Sequence, residues 1–578
     1  MITPRGTFFA SCCALVLLLA GCSGGGPVPS GASADPGPSG GAGSAGGSLC
    51  ASSNAPVATS ASASASSDSA SATSSTSPSA SSSSASSPPA WTFVTEPDLA
   101  PVKVEVLKNS LSDKSGLILT APYAPGAATG QTGTYITDVD GNPVWFKPVP
   151  DTSVTNLGFR VQTYQGKPVL TTWQGTAAGS PEYQNLPMAA PEPGACFYIY
   201  DQSYQVIKTV SAADGWTADL HEFVLTPNGT ALFLTFKTVA KDLTPYGGPK
   251  DGSVGDYGIQ EIDLATGKLV FSWDMLEHVS LKDSYETAAS ANSTDGNVWD
   301  VFHPNSLDVG PSGELLVSLR NMWAGYAVDR TSGDILWQLN GKQQSDETWP
   351  LITPAKDARF SWQHMLRFRG ANQISLFDDA CCGTAANGKD EKAPGTSRGL
   401  LLTIDQATRT ASVATTMYHD PALSVSSQGA VQELENGDWF VGWGIQPYFS
   451  QFGASGNTAK APSANLLYDA KLSGDMFSYR AFRYTWVGTP TTAPKIVAQS
   501  KEGKTTVYAS WNGSTETVAW QVLGGDAPSE LGTVVATTPR VGFETSIAVP
   551  GSAQYYQVKA LDKAGQVIGT SAVVAASS

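Results

Sequence analysis

His303-Pro304-Asn305-Ser306-Leu307-Asp308-Val309-Gly310-Pro311-Ser312-Gly313 is an apolar run that ends in a glycine turn, and Leu315-Leu316-Val317-Ser318-Leu319-Arg320 runs back from it. Two such runs around a glycine-bearing turn read as a β-hairpin. The pattern recurs from Phe159 to Trp173 around Gln165-Gly166, from Phe223 to Phe236 around Asn228-Gly229, after His364, and from Val431 to Trp443 around Asn436-Gly437. A second hairpin alternates with it and turns on an aspartate: Asp138-Val139-Asp140-Gly141 through Trp145, Asp263 to Gly267 through Trp273, and Asp329 to Gly333 through Trp337. Two hairpins make a four-stranded unit, and units recurring every ~60–85 residues predict a β-propeller. Strands near Gly116 to Pro122 and Tyr135 to Phe146 supply a further unit, so the expectation is an all-β, six-bladed propeller over residues 91–493. An array of β-sandwiches is the structural alternative.

Of the five histidines, His221, His303 and His364 share one phase of this repeat, each heading a first-kind hairpin. The fourth aligned hairpin offers Ser426-Ser427-Gln428 at a similar offset. Arg320 closes the hairpin that His303 begins, and Asn305, two residues after His303, is expected on the same strand face. In a propeller these positions gather at one mouth of the central channel. A ring of imidazoles there suits acid, base or nucleophilic chemistry near neutral pH. A metal site is the competing reading. Against it, Arg320 would repel a cation, and arginine among histidines suits an oxyanion. No metal and no cofactor are therefore expected. Trp299, Trp323, Tyr326 and Trp362 are candidates to stack an aryl ring. His278 and His419 fall outside the phase and read as structural.

The ends of the chain read differently. Arg5, the apolar run Phe8 to Ala20 and Leu19-Ala20-Gly21-Cys22 form a targeting segment, residues 1–21, with a lipobox-like end. Cys22 is then the expected lipidation site, and two acyl chains suffice for stable membrane anchoring. Residues 22–90 are dominated by Ser, Ala, Gly, Pro and Thr and read as a tether. Such a segment buries too little apolar surface to order itself, and as a coil it reaches about 45 Å. The expected location is extracytoplasmic. Cys50, Cys196, Cys381 and Cys382 remain, with disulfides permitted and connectivity open. The net charge of −16 argues against nucleic acid. Residues 494–578, with Val507 to Gly513 and Gln554 to Ala560 as alternating strands, read as a small fibronectin type III-like β-sandwich.

The core resembles the bacterial arylsulfotransferases that do not use 3′-phosphoadenylyl sulfate, closest to the branch found in actinobacterial and fungal proteins. The resemblance rests on Pro97 to Pro101, Ala121-Pro122-Tyr123, Trp299 to Ser306, Ser361-Trp362-Gln363-His364, Ser427-Gln428-Gly429, Val441 to Gly444 and Ser478 to Arg483. It implies a six-bladed propeller with the site at one channel mouth. It also implies His364 as the nucleophile that carries the sulfuryl group, His221, His303 and Arg320 as its supports, and Asn305 and Ser427 as substrate contacts. The partners implied are an aryl sulfate donor and a phenolic acceptor, exchanged by a ping-pong route. An aryl sulfate hydrolase using the same histidine, and a non-catalytic propeller binding glycan or protein, are the alternatives. The Ala380-Cys381-Cys382-Gly383 loop departs from the family pattern.

Overall fold

The aspartate turns form as their chemistry dictates. Asp138, Asp201, Asp263, Asp329 and Asp405 each accept, through Oδ1, the backbone N–H two residues on, at 3.0, 2.9, 3.0, 2.7 and 2.9 Å. This side-chain mimic of a turn reverses the chain without a ladder partner. In the other hairpins glycine supplies the left-handed residue, as at Gly229 (φ 77°) and Gly437 (φ 82°).

The structure is a computed structural model, and it describes residues 89–124, 130–150, 153–176, 194–291, 297–381, 395–551 and 553–577. The targeting segment, Cys22, nearly all of the tether, Cys50 and Cys382 lie outside the described residues. The described chain is all-β with many antiparallel sheets. The strands Thr155–Tyr164, Lys167–Gly175, Cys196–Tyr200 and Val206–Val210 pair in chain order, as do Thr217–Leu225, Thr230–Lys241, Gly252–Asp263 and Leu269–Asp274. Next come Pro304–Val309, Leu315–Leu319, Ala324–Val328 and Ile335–Leu339, then His364–Phe368, Gln373–Asp378, Arg398–Asp405 and Thr410–Met417. The short strand Leu351–Pro354 joins the outer edges of these last two groups. Ala430–Glu433, Trp439–Gly442, Tyr448–Phe452 and Leu466–Leu472 follow, with Val104–Asn109 added outside. Ala481–Tyr484, from the far end of the region, pairs with Leu117–Thr120 and completes the sheet of Gly133–Thr137 and Pro143–Pro148.

The first strand of each group contacts the next in a closed cycle: Thr155–Tyr164, Thr217–Leu225, Pro304–Val309, His364–Phe368, Ala430–Glu433, Ala481–Tyr484 and back to Thr155–Tyr164. The apolar faces between groups are filled by large side chains such as Trp173, Phe233, Tyr257, Leu316, Leu376 and Trp443, all fully buried. Early strand Val104–Asn109 pairs late strand Leu466–Leu472, and late Ala481–Tyr484 pairs early Leu117–Thr120. The pairings of strands from the two ends of the region thus fasten the cycle.

Residues beyond 494 form two facing sheets, Lys495–Lys501, Lys504–Ser510 and Glu544–Val549 in one, and Thr533–Pro539, Ala519–Gly525, Tyr555–Leu561 and Val567–Thr570 in the other. Trp520, Val522, Val507 and Val558 are buried between them. The sandwich docks on the outer strand Pro143–Pro148, where the Asn512 amide accepts from Phe146 N–H at 3.0 Å and donates to Phe146 C=O at 2.9 Å. Tyr204 stacks on Trp145 at 4.6 Å and donates to the Gly513 carbonyl, and Phe93 packs on Phe543 at 4.4 Å. Among the described residues no helix is long and apolar enough to cross a membrane.

Candidate active site

The inner strands share a defect at one end. Pairing registers slip within Leu157–Arg160, within the stretch from Ala218 to Phe223, between Pro304 and Ser306, and between His364 and Arg367. Bulges of this kind re-aim side chains next to a site. Here they are accompanied by left-handed backbone at His303 (φ 49°), Trp362 (φ 56°), Met365 (φ 55°) and Gln428 (φ 71°). Non-glycine residues hold such angles only where their surroundings impose them.

The three in-phase histidines do come together. The His221 and His303 rings lie 5.1 Å apart, and Tyr479 lies 5.7 Å from His221 and 6.4 Å from His364. One expectation needs correcting: His221 does not open its strand but sits within Thr217–Leu225. It lies in the register slip between Ala218 and Phe223. His303 immediately precedes its strand, and His364 starts one.

Behind each imidazole stands a carboxylate that the repeat pattern did not reveal. Asp219 Oδ1 meets His221 Nδ1 at 2.8 Å, Asp300 Oδ2 meets His303 Nδ1 at 2.5 Å, and Asp379 Oδ2 meets His364 Nδ1 at 2.7 Å. Asp219 and Asp379 are fully buried. The first two dyads are local, Asp-x-His and Asp-x-x-His, and that spacing was a usable signal. Asp379 closes from the end of the neighbouring strand, which only the pairing of His364 with Phe377 brings near.

Protonation follows from the geometry. The Gln428 N–H donates to His364 Nε2 at 3.1 Å, so Nε2 bears a lone pair and Nδ1 bears the hydrogen that Asp379 accepts. Burial, then Arg320 and the other two imidazoles, holds His364 well below the ordinary histidine range and keeps it neutral. Burial likewise lowers His303, with Asp300 opposing. Burial raises the Asp379 carboxyl, and Arg320 opposes that. Gly429 makes the Gln428 contact available: at φ 119° it lies so close to Phe377 that a Cβ would meet the ring at 2.4 Å.

Arg320 stands where the hairpin argument put it. Its N–H donates to the His303 carbonyl at 3.1 Å, and its guanidinium lies 4.8 Å over Trp362. Nη1 and Nη2 donate to Asn321 Oδ1 at 3.1 Å and Ser426 C=O at 2.9 Å, while the buried Nε has no partner. Asn305 does not face this space. The bulge after Pro304 breaks the strand alternation, and the Asn305 amide donates to Gln363 C=O at 2.7 Å and accepts from Met365 N–H at 3.4 Å, bracing the start of the His364 strand. From the Ser427 segment, the group that reaches His364 is the next residue's amide, not the Ser427 hydroxyl; the Ser427 carbonyl accepts from Ile445 N–H at 3.3 Å.

Of the aromatic candidates, Trp362 and Trp323 adjoin Arg320, whereas Trp299 packs on Tyr246 and Tyr326 is enclosed in the core. His278 and His419 are structural as expected: their Nδ1 atoms pair with the Asp274 and Pro421 carbonyls at 2.6 and 2.8 Å. Under the histidines, Glu222 is held by Arg160 at 2.8 Å, Arg480 at 3.1 Å and Arg367. Burial works against the Glu222 charge, yet the three guanidinium groups push its carboxyl down to about 2. Among the described residues no group of three or more His, Cys, Asp or Glu is arranged to hold a metal ion. Cys196 and Cys381 are both disulfide-bonded.

A family model described as Arylsulfotransferase (ASST) matches residues 160–461. No curated protein matches the chain. Solved structures similar to it include a protein of unknown function from Bacteroides caccae, with 10% identity, a TM-score of 0.33 and coverage of 64% of this chain and 98% of that one. Virginiamycin B lyase from Staphylococcus aureus has 9% identity, a TM-score of 0.29 and coverage of 71% and 97%. Hydrazine synthase from Kuenenia stuttgartiensis has 13% identity, a TM-score of 0.27 and coverage of 68% and 93%. Likenesses this remote say nothing about chemistry.

Proposed function

The chain belongs to the arylsulfotransferase (ASST) family, and from that premise we propose that it moves a sulfuryl group from an aryl sulfate to a phenol through a covalent intermediate on His364. The observation that carries this reading is the neutral, carboxylate-backed His364, whose Nε2 lone pair accepts from the Gln428 N–H and which feels Arg320 and two further imidazoles. We read the cycle of four-stranded groups as six propeller blades with this site at one channel mouth, and the two terminal sheets as a fibronectin type III-like sandwich. The closed contact cycle and the pair of facing sheets, one of three strands and one of five, support both readings.

In the first half-reaction His364 Nε2 attacks sulfur and the sulfur–oxygen bond to the aryl group breaks, its electron pair leaving on the phenolate. The Gln428 N–H, displaced from the lone pair, then lies beside the new N–S bond and donates to a sulfuryl oxygen. The unpartnered Arg320 Nε–H is a second such donor. Asp379 stabilises the positive charge that builds on the imidazole. An entering sulfate ester is an anion, so it raises the proton affinity of His221 and His303. One of them protonates the leaving phenolate, and in the second half it takes the proton of the acceptor phenol as that oxygen attacks sulfur and the N–S bond breaks. Asn305 and Ser427 act through position, as braces of the His364 and Gln428 segments.

Location is part of the proposal: a lipoprotein anchored through Cys22 and held outside the cytoplasm by the 22–90 tether, in the actinobacterial and fungal branch of the family. The disulfides of Cys196 and Cys381 support an oxidising compartment. The test is to incubate the protein with p-nitrophenyl sulfate and seek an added sulfonate on His364 by peptide mass spectrometry. The expected result is modification in wild type, its loss in His364→Asn, and its discharge by added phenol. Nitrophenol release without modification, or full transfer by His364→Asn, refutes the covalent route.

A further inference from the structure

A cavity of about 660 Å³ has none of the three histidines in its lining. Its inner wall is Trp323, Tyr285 and Ser361; Leu351 and Phe360 add apolar surface. A layer of rings separates it from the site: Tyr285 stacks on Trp323 at 3.8 Å, Trp323 meets Trp362 edge-on at 5.3 Å, and Trp362 carries Arg320. Cavities of this size hold a ligand of several rings.

Two features define what fits. The first is unmet donors. Ser361 is 2% exposed, yet its Oγ has no hydrogen-bond partner, and neither does Trp323 Nε1. A buried donor without an acceptor is unfavourable, so a ligand whose acceptor oxygens reach these groups would be favoured. The second is charge. Among the described residues Lys356, Arg359, Arg398 and Asp357 line the cavity, with Arg398 paired to the buried Asp378 at 2.9 Å, so cationic groups outnumber acids in a chain whose net charge is −16. An acceptor-rich anion with an aromatic body meets both conditions.

The geometry points to a second binding site here for an aryl sulfate, separate from the reacting site. The ligand class rests on the arylsulfotransferase reading; the existence of an anion site does not. The walls also touch the catalytic apparatus. Arg398 Nε donates to Asp378 Oδ2 at 2.9 Å and Ser361 N–H to Asp378 Oδ1 at 3.1 Å, and the next residue is Asp379, which holds His364. A bound anion drawing on Arg398 or Ser361 is therefore one residue away from the carboxylate that sets the nucleophile.

The test uses 2-naphthalenesulfonate, whose carbon–sulfur bond cannot be transferred, in calorimetric titration of the whole chain. Wild type is expected to show two binding events. Lys356→Glu should weaken one about tenfold, Thr353→Trp, which fills the cavity, should abolish the same one, and the other event should persist in both. Thermal unfolding of each variant reports whether the fold is intact. Initial rates with dilute p-nitrophenyl sulfate should stay within twofold of wild type. A single event in all three proteins, or two events that neither variant alters, overturns the site. If the variant-sensitive event is present but no nitrophenol is released, the anion site stands and the proposed reaction falls. Repeating the titration on His364→Asn with the aryl sulfate donor, then with the sulfated product, shows which of them the cavity prefers.

Discussion

Replacing Asp379 with asparagine tests the centre of the mechanism, because it keeps the shape of the residue and removes its charge. His364 must present a lone pair at Nε2, which requires the hydrogen on Nδ1 and an acceptor opposite it, 2.7 Å away. Asparagine can provide that acceptor only by turning its NH₂ toward the place of Asp379 Oδ1, which is buried and has no hydrogen-bond partner. An unsatisfied amide there costs about 1–3 kcal/mol, and exchanging a charged acceptor for a neutral one costs about 1 kcal/mol more. The alternative is the opposite tautomer, with hydrogen on Nε2 and no nucleophile. Either way about 2–4 kcal/mol is lost from the transition state, or roughly 30- to 1000-fold in kcat/KM. The assay is the initial rate and burst of nitrophenolate from p-nitrophenyl sulfate, alongside thermal unfolding to confirm the fold. A fully folded Asp379→Asn protein within threefold of wild type would refute the role assigned to this carboxylate.

The other expectations concern charge and docking. Protonation silences His364, and because burial holds it well below the ordinary range, the acid-side loss of kcat/KM should begin only well below pH 6.5; a fall in rate on acidification through 6.5 in a pH–rate profile would contradict this. Arg320→Lys keeps the charge but not the planar fork that reaches Asn321 and Ser426 while stacking on Trp362, and should lower kcat/KM about 10- to 100-fold. Glu222→Gln leaves Arg160, Arg367 and Arg480 buried together and should cost about 3–5 kcal/mol in urea denaturation, so an unchanged midpoint would show that the cluster is not an ionic one. Asn512→Ala removes both hydrogen bonds to Phe146 and should hasten proteolysis between 485 and 494, where equal rates would mean that the sandwich docks by other contacts.

The hairpin phase was legible because turn chemistry is local: a glycine or an aspartate reverses the chain whatever lies elsewhere. Phase alone was enough to bring His221, His303, His364 and Arg320 together. Two kinds of information were not local. Ala481–Tyr484 completes the sheet of Leu117–Thr120 across most of the chain, and no repeat pattern announces such a pairing. Asp379 reaches His364 only through their ladder. The Asn305 expectation failed for a definite reason, since strand alternation places side chains only in an unbroken strand and the register slips beside it. Ser427 is a different case. Its segment does contact the nucleophile, but through the Gln428 backbone amide, and every sequence contains amides.

Charge around the channel gives the site one further property. Burial and the Arg320 guanidinium hold His364 and His303 below the ordinary histidine range, so the free site has little reason to hold an extra proton. A bound sulfate ester adds one negative charge in a dry space, which an imidazole offsets by taking up a proton. The acid that the leaving phenolate needs is thus recruited by the substrate itself, while His364, with Nδ1 committed to Asp379 and Nε2 directed at sulfur, stays neutral. Donor binding should therefore take up about one proton at pH 7.5. Calorimetry of His364→Asn, which binds but cannot react, measures this as the difference between two buffers of unequal ionisation enthalpy. Uptake near zero would mean that the phenolate leaves unprotonated and that His221 and His303 serve only to hold the sulfuryl oxygens.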